Sequence, residues 1–109
     1  MSFKIKTTAN FEKEAKRLSK KYHSFKKDLN PVLENISKNP RQGISLGKNC
    51  YKFRIAISSK GKGSLGGARL IAYIHIVENA VYLISVYDKS EKETVSQKEL
   101  LYLISLVPL

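Results

Sequence analysis

Hydrophobic positions in the first part of the chain change from a period of two to a helical period. Residues 3–7 alternate between apolar and polar side chains, which predicts a short first strand. A helix after this strand is predicted by apolar residues at intervals of four, three and four: Phe11, Ala15, Leu18 and Tyr22. We expect Asn10 to cap this helix, because asparagine is a favoured N-cap residue.

A second amphipathic helix is predicted directly after the first. Ser24 is its expected cap, and Asn39 and Pro40 are expected to end it. Pro31 lies inside the apolar stripe, so we expect the helix to start late or to bend at that residue. Two adjacent amphipathic helices with a short link predict an antiparallel hairpin.

The second half of the chain returns to a period of two. Residues 43–49 have the composition of a loop, and residues 51–58 alternate as a half-buried strand does. Residues 58–67 are rich in glycine, serine and lysine, which predicts a mobile connection. Two further strands are expected over 69–77 and 80–87, joined by a tight turn.

These elements predict an α+β fold with the order β-α-α-β-β-β-α. An N-terminal strand and a helical hairpin would pack on a mostly antiparallel four-stranded sheet. Ser96 and Glu99 form the sequence of a capping box, which opens an expected C-terminal helix. With 109 residues, we expect one domain spanning residues 1–109.

The charge of the chain indicates a polyanionic partner. Twenty Lys and Arg residues stand against nine Asp and Glu residues, for a formal charge of +11. Such an imbalance favours nucleic acid, an acidic protein or a membrane surface as partner, although a merely soluble basic surface also explains it. No apolar run approaches the roughly 20 residues of a membrane span, and the N-terminal residues lack a signal-peptide pattern. We therefore expect a cytoplasmic protein.

Cations are concentrated in the middle of the chain. No acidic residue occurs between Glu34 and Glu78. Alternation places Lys52 and Arg54 on one strand face, about 7 Å apart, and Arg69 begins the next strand. A bound phosphate backbone would relieve the repulsion among them. The alternative is that these long side chains are simply solvated on an exposed sheet face.

Arg69 is expected to face solvent beside the other cations. Its neighbours Leu70 and Ala72 are assigned to the core, where the opposite side of the strand would pack on the helices. An exposed arginine contributes little to stability, commonly within about 0.5 kcal/mol. Substitution of Arg69 is therefore predicted to leave the fold intact.

Two long segments resemble a known family. NCYKFRIAISSKGKGSLGGARLIAYIHI and VYLISVYDKSEKETVSQKEL are similar to the RelE superfamily of type II toxin–antitoxin toxins, and most similar to its HigB-like branch. FEKEAKRLSKKYHSFKKDL resembles the first helical hairpin of that family, so the resemblance covers nearly the whole chain. The SKGKG…GGAR and YDKSEK pieces carry most of the specificity.

The resemblance implies a toxin that cuts messenger RNA on the ribosome without a metal or any other cofactor, by attack of a 2′-hydroxyl on the neighbouring phosphate. Its implied partners are mRNA, the ribosome and an acidic antitoxin. By position, the implied catalytic residues are Lys52, Arg54, Arg69 and Lys89. The expected RNA-contacting residues are Lys48, Lys60, Lys62, Tyr87 and Lys92, with Tyr87 stacking on a splayed base.

Some features leave the function open. A tyrosine that some family members carry further on is unmatched, since Val95 and Ser96 occupy that stretch. The general base is therefore not identified. Related toxins of ParE type inhibit DNA gyrase on the same fold, and a catalytically inert basic binding module is a further alternative.

Histidine and cysteine residues suggest no second chemistry. Two distant histidines, His23 and His75, and one cysteine do not form a metal site. Cys50 adjoins a buried strand, so we expect it to be unreactive.

Overall fold

The computed structural model describes residues 2–60 and 66–109, which form one five-stranded sheet and three α-helices. The strands are β1 (Lys4–Thr7), β2 (Ile44–Gly47), β3 (Cys50–Ile55), β4 (Ala68–His75) and β5 (Ala80–Asp88). The helices are α1 (Ala9–Lys21), α2 (Phe25–Lys38) and α3 (Gln97–Ser105). Two short 3₁₀ turns occupy Pro40–Gln42 and Ser58–Lys60.

The strands follow the order β1-β5-β4-β3-β2 across the sheet. Only β1 and β5 pair in parallel, and the other neighbours are antiparallel. The predicted α+β class and mostly antiparallel sheet are therefore confirmed, but the described sheet has one strand more than predicted. The additional strand is β2, within the segment that we expected to be a loop. Lys48 and Asn49 adopt positive φ angles of 54° and 62°, which is the backbone of a tight hairpin turn that pairs β2 with β3.

The two N-terminal helices differ in detail from the prediction. Thr8, not Asn10, caps α1, because its hydroxyl accepts a 3.2 Å hydrogen bond from the Phe11 amide. The Asn10 amide instead donates to the Ile84 carbonyl of β5 at 3.1 Å. Helix α2 begins directly after Ser24 and continues through Pro31. Among the described residues, no helix is both long and apolar enough to cross a membrane.

Helices cover both faces of the sheet. On one face, α1 and α2 contribute Phe11, Leu18, Phe25 and Ile36 to the larger core cluster. On the other face, Leu100 and Leu103 of α3 pack in a second cluster with buried residues of β3, β4 and β5: Cys50, Ile71, Ala80, Tyr82, Ile84 and Tyr87. The alternation of side chains predicted that this second face carries the cations. In the structure one part of the face is apolar and lies under α3, and the part beyond the helix is polar.

Gly67 sits where β4 approaches β3 too closely for a side chain. A Cβ atom built on Gly67 would lie 1.9 Å from the Ile55 carbonyl oxygen. The Gly67 carbonyl also accepts a 3.1 Å hydrogen bond from the Lys89 amide. The backbone of Gly67 thus fixes where β4 starts relative to both neighbouring strands.

We predict that Gly67→Ala lowers the free energy of unfolding by about 3 kcal/mol, because the two backbones must separate to admit the methyl group. Gly47→Ala is the matched control: its φ of +82° is strained for alanine, but no atom lies within 4 Å of the added Cβ. The control should lose only about 1 kcal/mol. Chemical denaturation of both variants measures the difference, and equal losses would contradict the close approach at Gly67.

Candidate functional site

Three side chains lie in one row across β3, β4 and β5. Arg54 pairs with Arg69 across β3 and β4, and Arg69 pairs with Tyr87 across β4 and β5. Directly opposed residues on one face have Cβ atoms about 5 Å apart. We call these three residues the arginine row. The row belongs to the same face as α3 and lies beyond the part of that face that the helix covers.

Arg69 is buried, contrary to the prediction that it faces solvent. Its exposed fraction is 4%, and its guanidinium donates a 3.0 Å hydrogen bond to the Ala68 carbonyl. Burial, followed by repulsion from Arg54, lowers the pKa of Arg69, while Glu93 opposes the shift. The prediction was wrong because alternation assigns a face and does not reveal that neighbouring strands enclose this end of β4. Truncation of Arg69 is therefore expected to disturb packing as well as charge.

Lys52 and Arg54 also line a shallow groove of about 280 Å³ beside β2. The Lys52 side chain is half-buried and belongs to the same face as the row, and Arg54 is exposed. Gln42 and Ile44 form the opposite wall of the groove. The pairing of β2 with β3 therefore creates an open channel that runs toward Arg54.

Lys89 and Lys92 approach the row from the end of β5. Lys89 is half-buried. Its backbone N–H donates a hydrogen bond to the Gly67 carbonyl, which extends the ladder between β4 and β5 by one residue. The Lys92 ammonium lies 5.3 Å from the centre of the Tyr87 ring and pairs with Glu99 of α3. All four predicted catalytic positions, Lys52, Arg54, Arg69 and Lys89, thus lie toward the same end of the sheet.

The ring of Tyr87 is buried, with 4% exposure, among residues that include Leu100 and Leu103 of α3. In this conformation the ring offers no free face to a nucleic-acid base. Burial raises the pKa of the Tyr87 hydroxyl, and the positive charge of Arg69 opposes that rise. The hydroxyl therefore stays protonated at neutral pH.

Lys60 is held inside the structure by a buried carboxylate. Asp88 is fully buried, and it accepts hydrogen bonds from the side chains of Lys60 at 2.6 Å, Tyr22 at 2.5 Å and Lys21 at 3.0 Å. Ser90 adds its amide and its hydroxyl, at 2.9 Å and 2.6 Å. The Lys60 side chain is 9% exposed, so in this conformation its charge is already neutralised by Asp88. Its contact with RNA remains a prediction.

Of the remaining predicted RNA-contacting lysines, Lys48 lies apart from the row. Lys48 is at the turn between β2 and β3, two residues before Cys50. Cys50 itself lies roughly 13 Å from Arg54 along β3, by strand rise. Lys62 falls outside the described residues. The structure therefore brings Lys92 and Tyr87 to the site and places Lys48 at the opposite end of β3.

Three acidic residues near the site were not among the predicted site residues. Asp88 organises the turn after β5, and Glu93 and Glu99 lie close enough to affect the charges of Arg69 and Tyr87. A sequence signal existed for Asp88, since it is the one acid in the YDKSEK segment that directly follows an apolar strand. Its burial could not be inferred from that position.

Histidine and cysteine residues form no alternative centre. Cys50 is buried, and burial raises the pKa of its thiol to about 11, so the thiol stays protonated, as expected of an unreactive cysteine. His75 contacts Glu78 at the far hairpin. Within residues 2–60 and 66–109, no group of three or more histidine, cysteine or acidic residues could hold a metal ion.

Another groove among the described residues lies away from the arginine row, on the helices. Its volume is about 780 Å³, and α1 residues such as Lys16 and Lys20 line it with His23 and Lys26. We assign the site to the row because three strands bring its groups together there, whereas the helical groove is lined by separate solvated side chains.

Comparison with known proteins identifies the fold. No family profile matches the sequence, and no curated protein matches it significantly. The isolated E. coli RelE toxin matches with a TM-score of 0.63 at 17% identity, covering 97% of this chain and 100% of that one. A mutant of E. coli RelE in the free state has a TM-score of 0.63 at 19% identity over 97% and 94% of the two chains.

A third match is the E. coli RelBE toxin–antitoxin complex, with a TM-score of 0.61 at 19% identity over 80% of this chain and 96% of that chain. This chain therefore has the RelE fold, as the resemblance in its sequence implied.

We predict that Asp88 makes the protein sensitive to acid. Burial alone would raise the pKa of this carboxyl, but hydrogen bonds from Lys60, Ser90, Tyr22 and Lys21 outweigh burial and hold the pKa well below its usual range. The stabilisation is complete above the unfolded-state pKa of about 3.9 and is lost as the pH falls below it. Asp88→Asn should cost about 3 kcal/mol near neutral pH.

The difference in unfolding free energy between wild type and Asp88→Asn should stay constant down to about pH 5 and shrink at lower pH. Denaturant titrations at several pH values measure it, with the exposed Glu34→Gln as the control for loss of one carboxylate. A difference that stays constant to about pH 2 would show that the ionised form of Asp88 does not stabilise the fold.

Proposed function

We propose that this protein is the toxin of a type II toxin–antitoxin pair and that it inhibits translation by cleaving messenger RNA on the ribosome. The RelE fold supports the toxin class, and the sequence resemblance to the RelE superfamily supports the nuclease. The arginine row supports an anionic substrate. ParE-type gyrase inhibition on the same fold is the competing outcome.

The observation that carries the proposal is the pairing of Arg54 with Arg69. Two guanidinium groups on directly opposed residues repel each other, and one of them is buried. Burial, followed by repulsion from Arg54, lowers the pKa of Arg69. Two positive groups held close together attract an anion, and planar guanidinium groups match the oxygens of phosphate.

Cleavage of RNA at such a site needs few groups. A base takes the proton of the 2′-hydroxyl, whose oxygen forms a bond to the adjacent phosphorus. The bond from phosphorus to the 5′-oxygen then breaks, and an acid supplies a proton to that oxygen. The products are a 2′,3′-cyclic phosphate and a 5′-hydroxyl. Positioned cations stabilise the extra negative charge on the phosphorane.

The residues of the site divide between these roles by position. Arg54 and Arg69 would bind the non-bridging oxygens, and Lys52 and Lys89 stand on either side of them as candidates for proton transfer or further charge stabilisation. Lys92 and the groove beside Lys52 would contact the flanking nucleotides. The fully buried Asp88 would hold the turn that carries Lys89 and Lys92.

We further propose that the protein acts in the cytoplasm, where mRNA and ribosomes are its targets, and that an acidic antitoxin neutralises it. One of the solved structures that this chain resembles is the E. coli RelBE toxin–antitoxin complex. The charge of +11 favours an acidic partner.

We predict that expression of the protein alone arrests growth and produces new 5′ ends within translated frames, which primer extension detects. Arg54→Ala should lower the cleavage rate by about 100-fold or more, because a positioned phosphate donor is lost. Its melting temperature should change little, because Arg54 is exposed. Lys13→Ala is the matched control: it also removes one exposed cation, on the opposite side of the sheet, and should cut normally.

Intact message in arrested cells, together with impaired DNA supercoiling, would overturn the nuclease and favour gyrase inhibition. Equal rates of cleavage by wild type and Arg54→Ala would show that the arginine row is not part of the active site.

We predict that association with the antitoxin is electrostatically steered. Its rate constant should fall by about tenfold or more when the salt concentration rises from low to well above physiological, because salt screens the attraction to a partner of opposite charge. Stopped-flow mixing with the acidic toxin-binding segment of the neighbouring gene product measures the rate. A rate that is independent of salt would contradict charge as the source of recognition.

A further inference from the structure

The hydroxyl group of Tyr87 is buried but makes no hydrogen bond. In the described part of the chain it is the one buried side-chain nitrogen or oxygen without a hydrogen-bond partner. The other buried polar side chains behave differently: Asp88 accepts from several donors, and Ser85 donates to Glu14 at 2.8 Å. An unpaired buried hydroxyl is costly, and phenylalanine would fill the same space without that cost.

The position of Tyr87 indicates what its hydroxyl is for. Tyr87 is the third member of the arginine row, directly opposite Arg69 and one strand further from Arg54. The ring is fixed by the apolar cluster under α3, with Lys92 against its face. Such a ring has little freedom to turn elsewhere, so its hydroxyl is oriented before any ligand arrives.

The chemistry of the three groups is complementary to one kind of ligand. Arginine only donates hydrogen bonds, and a protonated tyrosine hydroxyl can donate one. Burial raises the pKa of Tyr87, which favours the donor form and disfavours a role as base. A ligand that contacts all three groups must therefore be an acceptor with several oxygens and negative charge, which describes a phosphate group.

We propose that Arg54, Arg69 and the Tyr87 hydroxyl form one phosphate subsite, in which Tyr87 donates a hydrogen bond to a non-bridging oxygen of the RNA backbone. The subsite rests on the proposed nuclease function for the identity of the RNA but not for the binding of phosphate. It replaces base stacking as the role of Tyr87.

We expect the entry of a phosphate to begin with the movement of surface side chains. Arg54 is exposed, and the Lys92 side chain is 31% exposed and held by a surface ion pair with Glu99. Surface ion pairs are weak, so a phosphate can draw both cations toward itself. The buried Arg69 and the Tyr87 ring stay in place.

Tyr87→Phe tests the subsite, with Tyr102→Phe as the matched control, since Tyr102 is 61% exposed on α3. The probe is inorganic phosphate, titrated into protein with ¹³C-labelled tyrosine rings. We expect one buried tyrosine signal to shift with phosphate in wild type and in the control, and to be missing in Tyr87→Phe. The affinity for phosphate should fall by about tenfold or more in Tyr87→Phe, while its melting temperature is unchanged or higher.

Unchanged phosphate affinity in a folded Tyr87→Phe variant would overturn the subsite. A single-turnover assay with ribosome-bound mRNA separates this result from the nuclease proposal. If the wild type binds phosphate through Tyr87 but cuts no RNA, the nuclease fails and the subsite stands. If Tyr87→Phe binds phosphate and cuts RNA at the parental rate, the subsite fails and the nuclease stands.

Discussion

The site depends on the hydrogen bonds that the buried carboxylate of Asp88 accepts. This carboxylate stands at the end of β5 and accepts hydrogen bonds from the end of α1, through Lys21 and Tyr22, and from Lys60 after β3. An unpaired carboxylate in this position would be strongly destabilising, so its partners are held together as a group. The strand, the helix end and the turn that starts at Ser90 are thereby fixed relative to one another.

This constraint separates two kinds of lysine that the sequence does not distinguish. Lys60 is directed inward and neutralised, while Lys89, one residue after Asp88, remains beside the arginine row. A cation that serves the fold cannot at the same time serve a ligand without leaving Asp88 uncompensated. The count of positive charges therefore overstates how many are available to a polyanionic partner.

Much of the fold was predictable from periodicity, because the intervals of apolar residues in α1 and the alternation in β3 report directly which side is buried. The capping box at Ser96 was also confirmed, since its hydroxyl accepts from the Glu99 amide at 3.1 Å. Strand β2 was missed because its pairing depends on the positive φ angles of Lys48 and Asn49, not on its own composition. The burial of Arg69 was missed because it depends on neighbouring strands that are distant in sequence.

The four predicted catalytic positions share one sheet end because strand register is a consequence of the same alternation. How deeply each side chain is buried could not be predicted, and burial is what distinguishes these residues from one another. Exposed Arg54 can reach for an incoming phosphate, whereas buried Arg69, bonded to the Ala68 carbonyl, is held in one position. A hydrogen-bond donor that is already held in place loses little entropy when a ligand binds. Its electrostatic interaction with the ligand is also stronger where water is excluded. In the phosphate subsite that we propose, the repulsion between these two residues would favour the binding of an anion.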